Sequence, residues 1–568
     1  MKILGLNLNH IASAALLDDG EIIAASCEER FTRNKMTRNF PFHSIDYVLE
    51  ESGITIDEID AVSVPINPSI NLDMYRNSYS GTHRWFPDLL YSIPNNLFQV
   101  VKPSTHDFTK QQFSFGADHS LDVYYLNHHR CHASTGYYLS EFDSAAIFSF
   151  DGFGERTCTL WAKSDENQIK VLQELTFPQS IGSVYETFTD YLGFQPDADE
   201  WKVMGMAAYG NPERFLKEVN SLVELQASGN YELDMSYFQF NNFDRPGHFT
   251  SKLVDLLGEP RGKNGEFNAK YFDIASSAQK LFERIMFHCL NHLYDITQEK
   301  NLCVTGGAAM NSLANGKIIE NTPFKNLYIP YAPDDSGLSI GSALHLYHGI
   351  FNKGHKVKAN RTSYLGPQYP NTEIEKLLTK YNISFSESDS VLEQTVELLI
   401  AGKVVAWFQG RMEFGQRALG NRSILADPRR KDMKNVINEK IKYRESFRPF
   451  APAVLKEKAS MFFEIDTDQQ GKYMESALRV VDDKKHLIPA IVHEDGTGRL
   501  QSVDKNDNPK FYELIEVFEE KTGIPILINT SFNIRGEPIV CSPEDSLRTF
   551  FTCGLDALVI GKYIVRKQ

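Results

Sequence analysis

Residues 145–150 read Ala-Ala-Ile-Phe-Ser-Phe, an apolar run broken only by Ser149 that stops at Asp151 and the turn Gly152-Phe153-Gly154. A run this short, bounded by turn signals, is the pattern of a buried strand. It constrains the chain to an α/β fold, because such folds bury their strands and gather chemistry in the loops at C-terminal strand ends. A second stretch has the same design. The strand at 301–304 leads into Thr305-Gly306-Gly307-Ala308-Ala309-Met310-Asn311. Glycines between a strand and a helix let backbone N–H groups approach a phosphate or nucleoside. No Walker A sequence occurs, so a P-loop ATPase is not supported.

The rest of the chain carries the same alternation. The start, MKILGLNLNHIASAALLDDG, reads as a β-hairpin with Leu4, Ala12, Ala14, Leu16 and Ile22 in apolar stretches and Asp19-Gly20 as the turn. A helix is expected at 44–52, strands at 61–65 and 122–126, and a long amphipathic helix at 271–298. Strand and helix patterns alternate again over 301–350. The polar, weakly periodic stretch 351–366 reads as a linker. Beyond it come helices at 372–380 and 391–401, a strand at 404–408 and a terminal strand near 557–560. With 568 residues the chain exceeds one ordinary core, so at least two domains are expected, 1–355 and 366–568. No repeat of solenoid type occurs.

Charge narrows the function classes. The chain has 59 basic against 74 acidic residues, a net of −15. A surface this acidic argues against coating nucleic acid or anionic membrane, though not against a small basic pocket. Apolar residues make up 42% and charged residues 23%, the balance of a folded chain rather than a disordered one. No apolar run reaches the roughly 18 residues that a bilayer-spanning helix needs. The N-terminal stretch is interrupted by Asn7, Asn9 and His10 and is not read as a signal peptide. The seven cysteines form no CxxC pair, which favours a reducing cytoplasm over a disulfide framework or zinc ribbon.

Several clusters carry candidate chemistry. His128 and His132 are spaced i, i+4, so on a helix both imidazoles can reach one metal ion. Asp151 follows nineteen residues on. A second pair with the same spacing, His288 and His292, lies in the amphipathic helix without such a neighbour and is assigned to packing or surface. Asp334 and Asp335 precede a small-residue segment, where they can hold a metal or cap a helix; both readings stand. The nominal G-x-S-x-G of Gly337 to Gly341 is not read as a hydrolase elbow, because Ser339 lies about ten residues beyond the strand near 327–329. Arg411, Arg417, Arg422, Lys442, Arg444 and Arg448 crowd around Gly415, Gly420 and Pro449 with Phe414, Phe447 and Phe450 nearby. In so acidic a chain this density suggests a polyanion pocket, with a solvated charged face as the alternative. Arg499, Asn529 and Ser531 add donors suited to a carbonyl or ribose.

Taken together these motifs resemble the NodU/CmcH-like O-carbamoyltransferases. The matching blocks are 10–17, 28–33, 127–134, 151–155, 204–210, 306–311, 415–423, 444–452 and 529–533, spread in order over nearly the whole chain. The resemblance implies an N-terminal ASKHA-type domain, as in tRNA threonylcarbamoyl transferases, and a C-terminal YrdC-like domain. It implies that the second makes carbamoyl adenylate from ATP and carbamoyl phosphate, and that the first passes the carbamoyl group to the hydroxyl of a small-molecule natural product. Magnesium is compatible with the ATP step.

The resemblance also implies site residues. The metal ligands fall on His128, His132, Asp151 and Asp335, with one iron ion expected. Nucleotide contacts fall on Gly152, Gly306, Gly307 and Asn311. Contacts to carbamoyl phosphate or the adenylate fall on Arg417, Lys442, Arg444, Arg448, Arg499, Asn529 and Ser531. Lys442 and Arg448 are expected to neutralise charge during catalysis, and His10 to take the acceptor's proton, with a plain loop hydrogen bond as its alternative reading. A tRNA-modifying threonylcarbamoyl enzyme is the rival, disfavoured by the acidic balance. A homodimer is compatible with the sequence. Region 66–120 matches no family block. Its Tyr75, Tyr79, His83, Trp85, Phe86, Tyr91 and Phe98 are expected to help select the acceptor, or to pack as a satellite cluster.

Overall fold

The computed structural model describes residues 1–67, 108–115, 119–165, 167–242, 247–357, 361–445, 447–465, 467 and 470–567. The aromatic residues from Tyr75 to Phe98 expected to select the acceptor lie outside the described residues. The chain forms two units. The first comprises Met1–Asn9, Ser13–Ile23 and Ser52–Arg361; the second comprises His10–Ala12, Ala24–Glu51 and Thr362–Gln568. Both are α/β. The segments 10–12 and 24–51 therefore group with the second unit, although they lie inside the expected N-terminal domain. Among the described residues no helix is long and apolar enough to cross a membrane.

The first unit repeats one topology. Its first sheet contains β1 (Lys2–Asn7), β2 (Ser13–Asp18), β3 (Glu21–Cys27, whose residues from Ala24 onward group with the second unit), β4 (Ala61–Val64), β5 (Phe108–Phe115) and β6 (His119–Leu126). The order is β3-β2-β1-β4-β6-β5, with β4 parallel to β1 and β6 parallel to β4. The turn Asp19-Gly20 joins β2 to β3 with positive φ at both residues, 45° and 87°, as a two-residue hairpin turn of type I′ requires. The expected hairpin is thus real, and β1 precedes it as a third strand, antiparallel to β2.

The second sheet of this unit contains β7 (Ala146–Phe150), β8 (Thr157–Asp165) and β9 (Gln168–Thr176). After a small ribbon of β10 (Val223–Leu225) and β11 (Tyr231–Leu233) it resumes with β12 (Asn301–Thr305) and β13 (Asn326–Tyr328). Its order is β13-β12-β7-β8-β9. Three consecutive strands pair as neighbours, and two later strands are added parallel to the first of the three. Both sheets follow that scheme, which is the duplicated arrangement on which an ASKHA domain is built. β7 is buried along its whole length, as its apolar run requires.

The second unit is built on one mixed sheet of eight strands. These are β14 (Phe385–Glu387), β15 (Val405–Phe408), β16 (Arg422–Ala426), β17 (Ala451–Leu455), β20 (Gln501–Val503), β21 (Ile526–Ser531), β22 (Ala557–Ile560) and β23 (Tyr563–Arg566); β18 (Ala477–Arg479) and β19 (Thr497–Arg499) form a separate ribbon. The order is β14-β23-β22-β15-β16-β21-β17-β20. Helices Val391–Ile400 and Pro509–Thr522 contribute Val396, Leu399, Phe511, Leu514, Ile515 and Phe518 to its core. The expected terminal strand at 557–560 is not the last. A turn at Gly561, φ 60°, returns the chain as β23, whose Tyr563, Ile564 and Val565 are buried.

Candidate functional site

The four residues expected to hold a metal lie in the first unit. Helix His128–Tyr138 follows β6 directly. Asn127 caps it, its side-chain oxygen accepting the Arg130 N–H at 3.0 Å. One helical turn separates His128 from His132, and their ring centroids lie 4.7 Å apart. Asp151 stands immediately after β7, and Asp335 in the turn before helix Leu338–Leu344. The His132 Nε2 lies 3.1 Å from Asp151 Oδ2 and 3.4 Å from Asp335 Oδ1. The His128 Nε2 is 3.7 Å from each of the same two oxygens. All four potential ligand atoms fall within 4.8 Å of one another.

Close packing makes this convergence possible. A Cβ on Gly341 would lie 2.1 Å from the Thr135 hydroxyl and 2.3 Å from the Cys131 carbonyl, so only glycine lets helix Leu338–Leu344 press against helix His128–Tyr138. Gly306 has φ 96° and would carry a Cβ 2.1 Å from the Phe150 carbonyl; a Cβ on Gly307 would meet Asp151 Oδ1 at 2.7 Å. The glycine pair thus packs against the end of β7 and its carboxylate. Asn7 donates to the Asp335 carbonyl at 2.9 Å and ties that turn to β1.

The donor set fits a metal ion. The Nε2 of His128 is buried and has no hydrogen-bond partner, although it faces two carboxylates. Both imidazoles are buried, while the Asp151 and Asp335 side chains keep 18% and 17% exposure, so the carboxylates remain reachable from solvent. Burial opposes charge on His132, but hydrogen bonds to Asp151 and Asp335 outweigh it and raise its pKa to about 9. Burial likewise pushes the Asp151 carboxyl up, and the two imidazoles pull it well below the usual range. The site therefore demands positive charge among its carboxylates.

Glu155 is a residue that the sequence reading did not single out. It accepts the backbone N–H groups of Asn67 at 2.7 Å and His128 at 3.1 Å, and the Asn127 amide at 3.4 Å. A carboxylate at a helix N-terminus also complements the helix dipole. Its signal was its place four residues after Asp151, in the same loop. Glu186 is the other addition: a Cβ on Gly152 would lie 3.1 Å from its Oε1. Burial first, then Asp197 and Glu200, raise this carboxyl well above its ordinary value.

The remaining first-unit residues have defined places. The Gly152 N–H donates to Asp151 Oδ1 at 2.7 Å. The Asn311 amide exchanges hydrogen bonds with Gln279 at 2.9 and 3.0 Å and caps helix Ser312–Asn315. Ser339 is buried within helix Leu338–Leu344, where Ser13 donates to its hydroxyl at 2.9 Å; it does not sit on a strand-end elbow. His288 bonds the carbonyls of Gln226 and Asn230, and His292 the Gln173 side chain, in keeping with the packing role assigned to them.

The basic cluster of the second unit divides in two. Arg422 is fully buried and donates to the carbonyls of Gln409, Gly410, Asn421 and Pro367 at 2.6 to 3.2 Å. Arg411 donates to the Leu365 and Gly366 carbonyls and to the Tyr47 hydroxyl. These two are structural staples, and the reading that placed them in a polyanion pocket is corrected: their donors are engaged by the protein itself. Glu413 organises the same loop, its Oε1 accepting the N–H groups of Leu419, Asn421 and Arg422.

Arg417, Lys442, Arg444, Arg448 and Arg499 form the other part. Burial first, then Arg417, Arg444 and Arg448, pushes the Arg499 guanidinium well below its ordinary value. Arg444 is lowered by burial and by Arg448, and Lys442 by burial, Arg444 and Arg448. The Nη2 of Arg444 and the Nε of Arg499 are buried without a hydrogen-bond partner. Glu445 offsets part of this charge, pairing with Arg448 at 3.5 Å, and Arg444 Nε donates to Asn438 at 2.6 Å; the remaining unsatisfied donors suit an anion. The Lys442 ammonium is caged by the Ser531 carbonyl, by the Ser531 hydroxyl at 3.3 Å, and by the Asn533 carbonyl and side chain at 2.9 and 2.8 Å. Asn529 donates to the Ala418 carbonyl and Gln501, holding the arginine loop from below. His10 also belongs to this unit.

Comparison with known proteins gives a family for both parts of the chain. Residues 2–344 match the family described as Carbamoyltransferase N-terminus, and residues 396–567 match Carbamoyltransferase C-terminus. The chain belongs to the carbamoyltransferase family. This carbamoyltransferase is 36% identical to Uncharacterized protein sll1178 of Synechocystis sp., covering 98% of this chain and 95% of that protein. It is 35% identical to Nodulation protein NolNO of Sinorhizobium fredii over 98% of this chain and 79% of that protein. Nodulation protein NolO of Bradyrhizobium diazoefficiens is 37% identical over 78% of this chain and 79% of its own length. The enzyme transfers a carbamoyl group; its cationic cluster and its His/Asp centre are the features that such chemistry can use.

Proposed function

We propose that this carbamoyltransferase is ATP-dependent: it forms carbamoyl adenylate in the second unit and transfers the carbamoyl group to a small-molecule hydroxyl. The observation that carries this reading is the cationic cluster of Arg417, Lys442, Arg444, Arg448 and Arg499, with buried, unsatisfied donor atoms on Arg444 and Arg499. One phosphate would engage two or three such cations. The four arginines fit a ligand with several anionic groups, such as carbamoyl phosphate together with the triphosphate of ATP, while the Lys442 ammonium is engaged by Ser531 and Asn533. Carbamoyl phosphate, ATP and one water balance to carbamoyl adenylate, phosphate and pyrophosphate. Attack of the acceptor oxygen on the carbamoyl carbon then breaks the bond to AMP.

Each residue has a task in this scheme. The arginines neutralise charge on the phosphates as bonds to phosphorus break. Lys442 fixes the end of β21 through Ser531 and Asn533. In the first unit His128, His132, Asp151 and Asp335 would hold one metal ion, for which the family resemblance favours iron and the mixed N/O donors also suit Mn or Zn. When bound, that ion supplies positive charge for an anionic or carbonyl oxygen. Glu155 orients His128 through its backbone.

The test is pyrophosphate release from ATP, measured with and without carbamoyl phosphate and with no acceptor. Release that depends on carbamoyl phosphate and disappears in Arg499→Met is the expected result. Release from neither protein, with carbamoyl transfer intact by mass spectrometry, would overturn the adenylate route. Screening alcohols by mass for the gain of one carbamoyl group identifies the acceptor class.

A further inference from the structure

The turn that carries Asp151 also carries an aromatic ring for which the His/Asp centre has no use. Phe153 follows Asp151 by two residues and is 40% exposed. Hydrogen bonds close this turn between β7 and β8: the Asp151 N–H donates to the Cys158 carbonyl at 2.9 Å, and the Gly154 N–H to the Thr157 carbonyl at 2.8 Å. The backbone on either side of Phe153 is packed closely. A Cβ on Gly152 would lie 3.1 Å from Glu186 Oε1, and one on Gly154 would lie 2.7 Å from the His128 Cβ. The turn is therefore fixed against the ligand helix, and its one large apolar side chain stands at the surface.

Phe153 is not a scattered surface ring. It tops a column of four phenyl rings that rises from the core of the first unit. Its centroid lies 4.7 Å from that of Phe177, Phe177 lies 5.8 Å from Phe240, and Phe240 lies 5.5 Å from Phe238. Phe238 and Phe240 are buried and Phe177 is half-buried. The backbone that carries Phe177 is also tied to Asp151. The Phe177 N–H donates to the Arg156 carbonyl at 2.7 Å, and the Ser180 hydroxyl to the Asp151 carbonyl at 3.0 Å. A Cβ on Gly182 would fall 2.6 Å from that same carbonyl oxygen. One short stretch of backbone thus positions both the exposed ring and the carboxylate, whose side chain keeps 18% exposure.

We propose that Phe153, backed by Phe177, is the platform on which the acceptor alcohol lies, and that this acceptor carries a saturated, oxygenated ring such as a pyranose or a cyclitol. The proposal rests on the reading that transfer takes place at the centre of the first unit. The face of a phenyl ring is electron-rich. The C–H bonds on one face of an oxygenated ring are polarised by the neighbouring oxygens, so that face stacks on phenyl while the hydroxyls at the ring's edge stay solvated. A rigid ring also loses little conformational freedom on docking, whereas a linear alcohol has no face to present.

Two measurements on the full-length enzyme test this, with methyl β-D-glucopyranoside as the ring probe and glycerol as the linear one. Saturation-transfer NMR of the glucoside should show the strongest transfer to the axial C–H protons of one ring face, and glycerol should show little. The pattern should vanish in Phe153→Ala and in Phe153→Leu, which keeps apolar bulk without the aromatic face, and it should persist in Phe153→Trp. No transfer to the glucoside in wild type, or the wild-type pattern in Phe153→Leu, would overturn the proposal. For carbamoyl transfer read by mass, Phe153→Ala should raise the KM for the glucoside about tenfold and leave that for carbamoyl phosphate unchanged. An equal rise in both would assign Phe153 to packing and also overturn the platform. Carbamoylation of neither alcohol by wild type would count against the transfer reading, a separate failure, because the spectra decide the platform without turnover.

Discussion

Two histidine pairs share i, i+4 spacing, and their surroundings give them opposite roles. His128 and His132 face two carboxylates, whereas His288 and His292 bond to carbonyl and amide oxygens. Elemental analysis should therefore find metal lost from His128→Ala and retained in His292→Ala; full occupancy in the first would sink the ligand assignment. Glu155 acts one step back, through the backbone of the ligand helix. Glu155→Gln should weaken metal binding about 10–100-fold in a chelator competition. The helix-spaced His pair and the strand-end carboxylate Asp151 were legible as candidates in short strings of sequence, whereas their grouping with Asp335 came from the family resemblance. Glu155 was not, because its role depends on the loop folding back to the helix N-terminus. Arg422 misled for a related reason: sequence reports a charge but not the direction in which the side chain runs. Glu200 adds a pH dependence, since burial raises its pKa from 4.5 to about 7. The folded chain then holds this proton more tightly than the unfolded chain does. Stability from the group is present below about pH 4.5 and is lost as pH climbs through about 7. The Tm of Glu200→Gln should gain on wild type from about pH 5 to about pH 7 and hold that gain above it.

Elements converge on the centre because small residues allow close approach. Helix Leu338–Leu344 is wedged against both helix His128–Tyr138 and β1: a Cβ on Gly5 would fall 1.9 Å from the Ser339 carbonyl, as one on Gly341 would meet Thr135 and Cys131. Gly341→Val must push that helix away and carry Asp335 with it. Overpacking of this kind costs about 1–3 kcal/mol, and chemical denaturation should register that loss together with reduced metal content. If stability fell and metal binding did not, Asp335 would not be positioned by this packing. Most elements were legible by period: β7, β12, the long helix Ala269–Thr297 and helix Asn371–Lys380 all lie within two residues of expectation. β8 and β9 were not read. β9 alternates in exposure along an edge, which leaves it only half apolar, and β8 is broken by polar Thr157, Thr159 and Lys163. Nor could spacing reveal that 10–12 and 24–51 join the second unit, because that grouping depends on long-range bonds such as Arg30 to the Gly415 carbonyl at 2.8 Å.

Across the whole molecule, a net charge of −15 coexists with a cluster of five cations, four of them half-buried arginines and the fifth the buried Lys442. The acidic exterior gives no electrostatic footing to a polyanion as large as tRNA, whose binding would need basic surface over many phosphates. A small anionic ligand needs only the pocket. At physiological salt, tRNA should leave the mobility of the enzyme unchanged while ATP and carbamoyl phosphate raise its Tm; a tRNA complex at that salt would revive the threonylcarbamoyl alternative. The same separation of charge gives the proposed half-reactions a test. The unsatisfied arginine donors lie in the second unit, and the His/Asp centre in the first. If adenylate formation uses only the former, Arg444→Met should abolish pyrophosphate release. His132→Ala should leave that release within about tenfold of wild type and stop carbamoyl transfer to an alcohol. Loss of pyrophosphate release in His132→Ala as complete as in Arg444→Met would mean that the metal centre takes part in making the adenylate, and the division of labour between the two units would have to be redrawn.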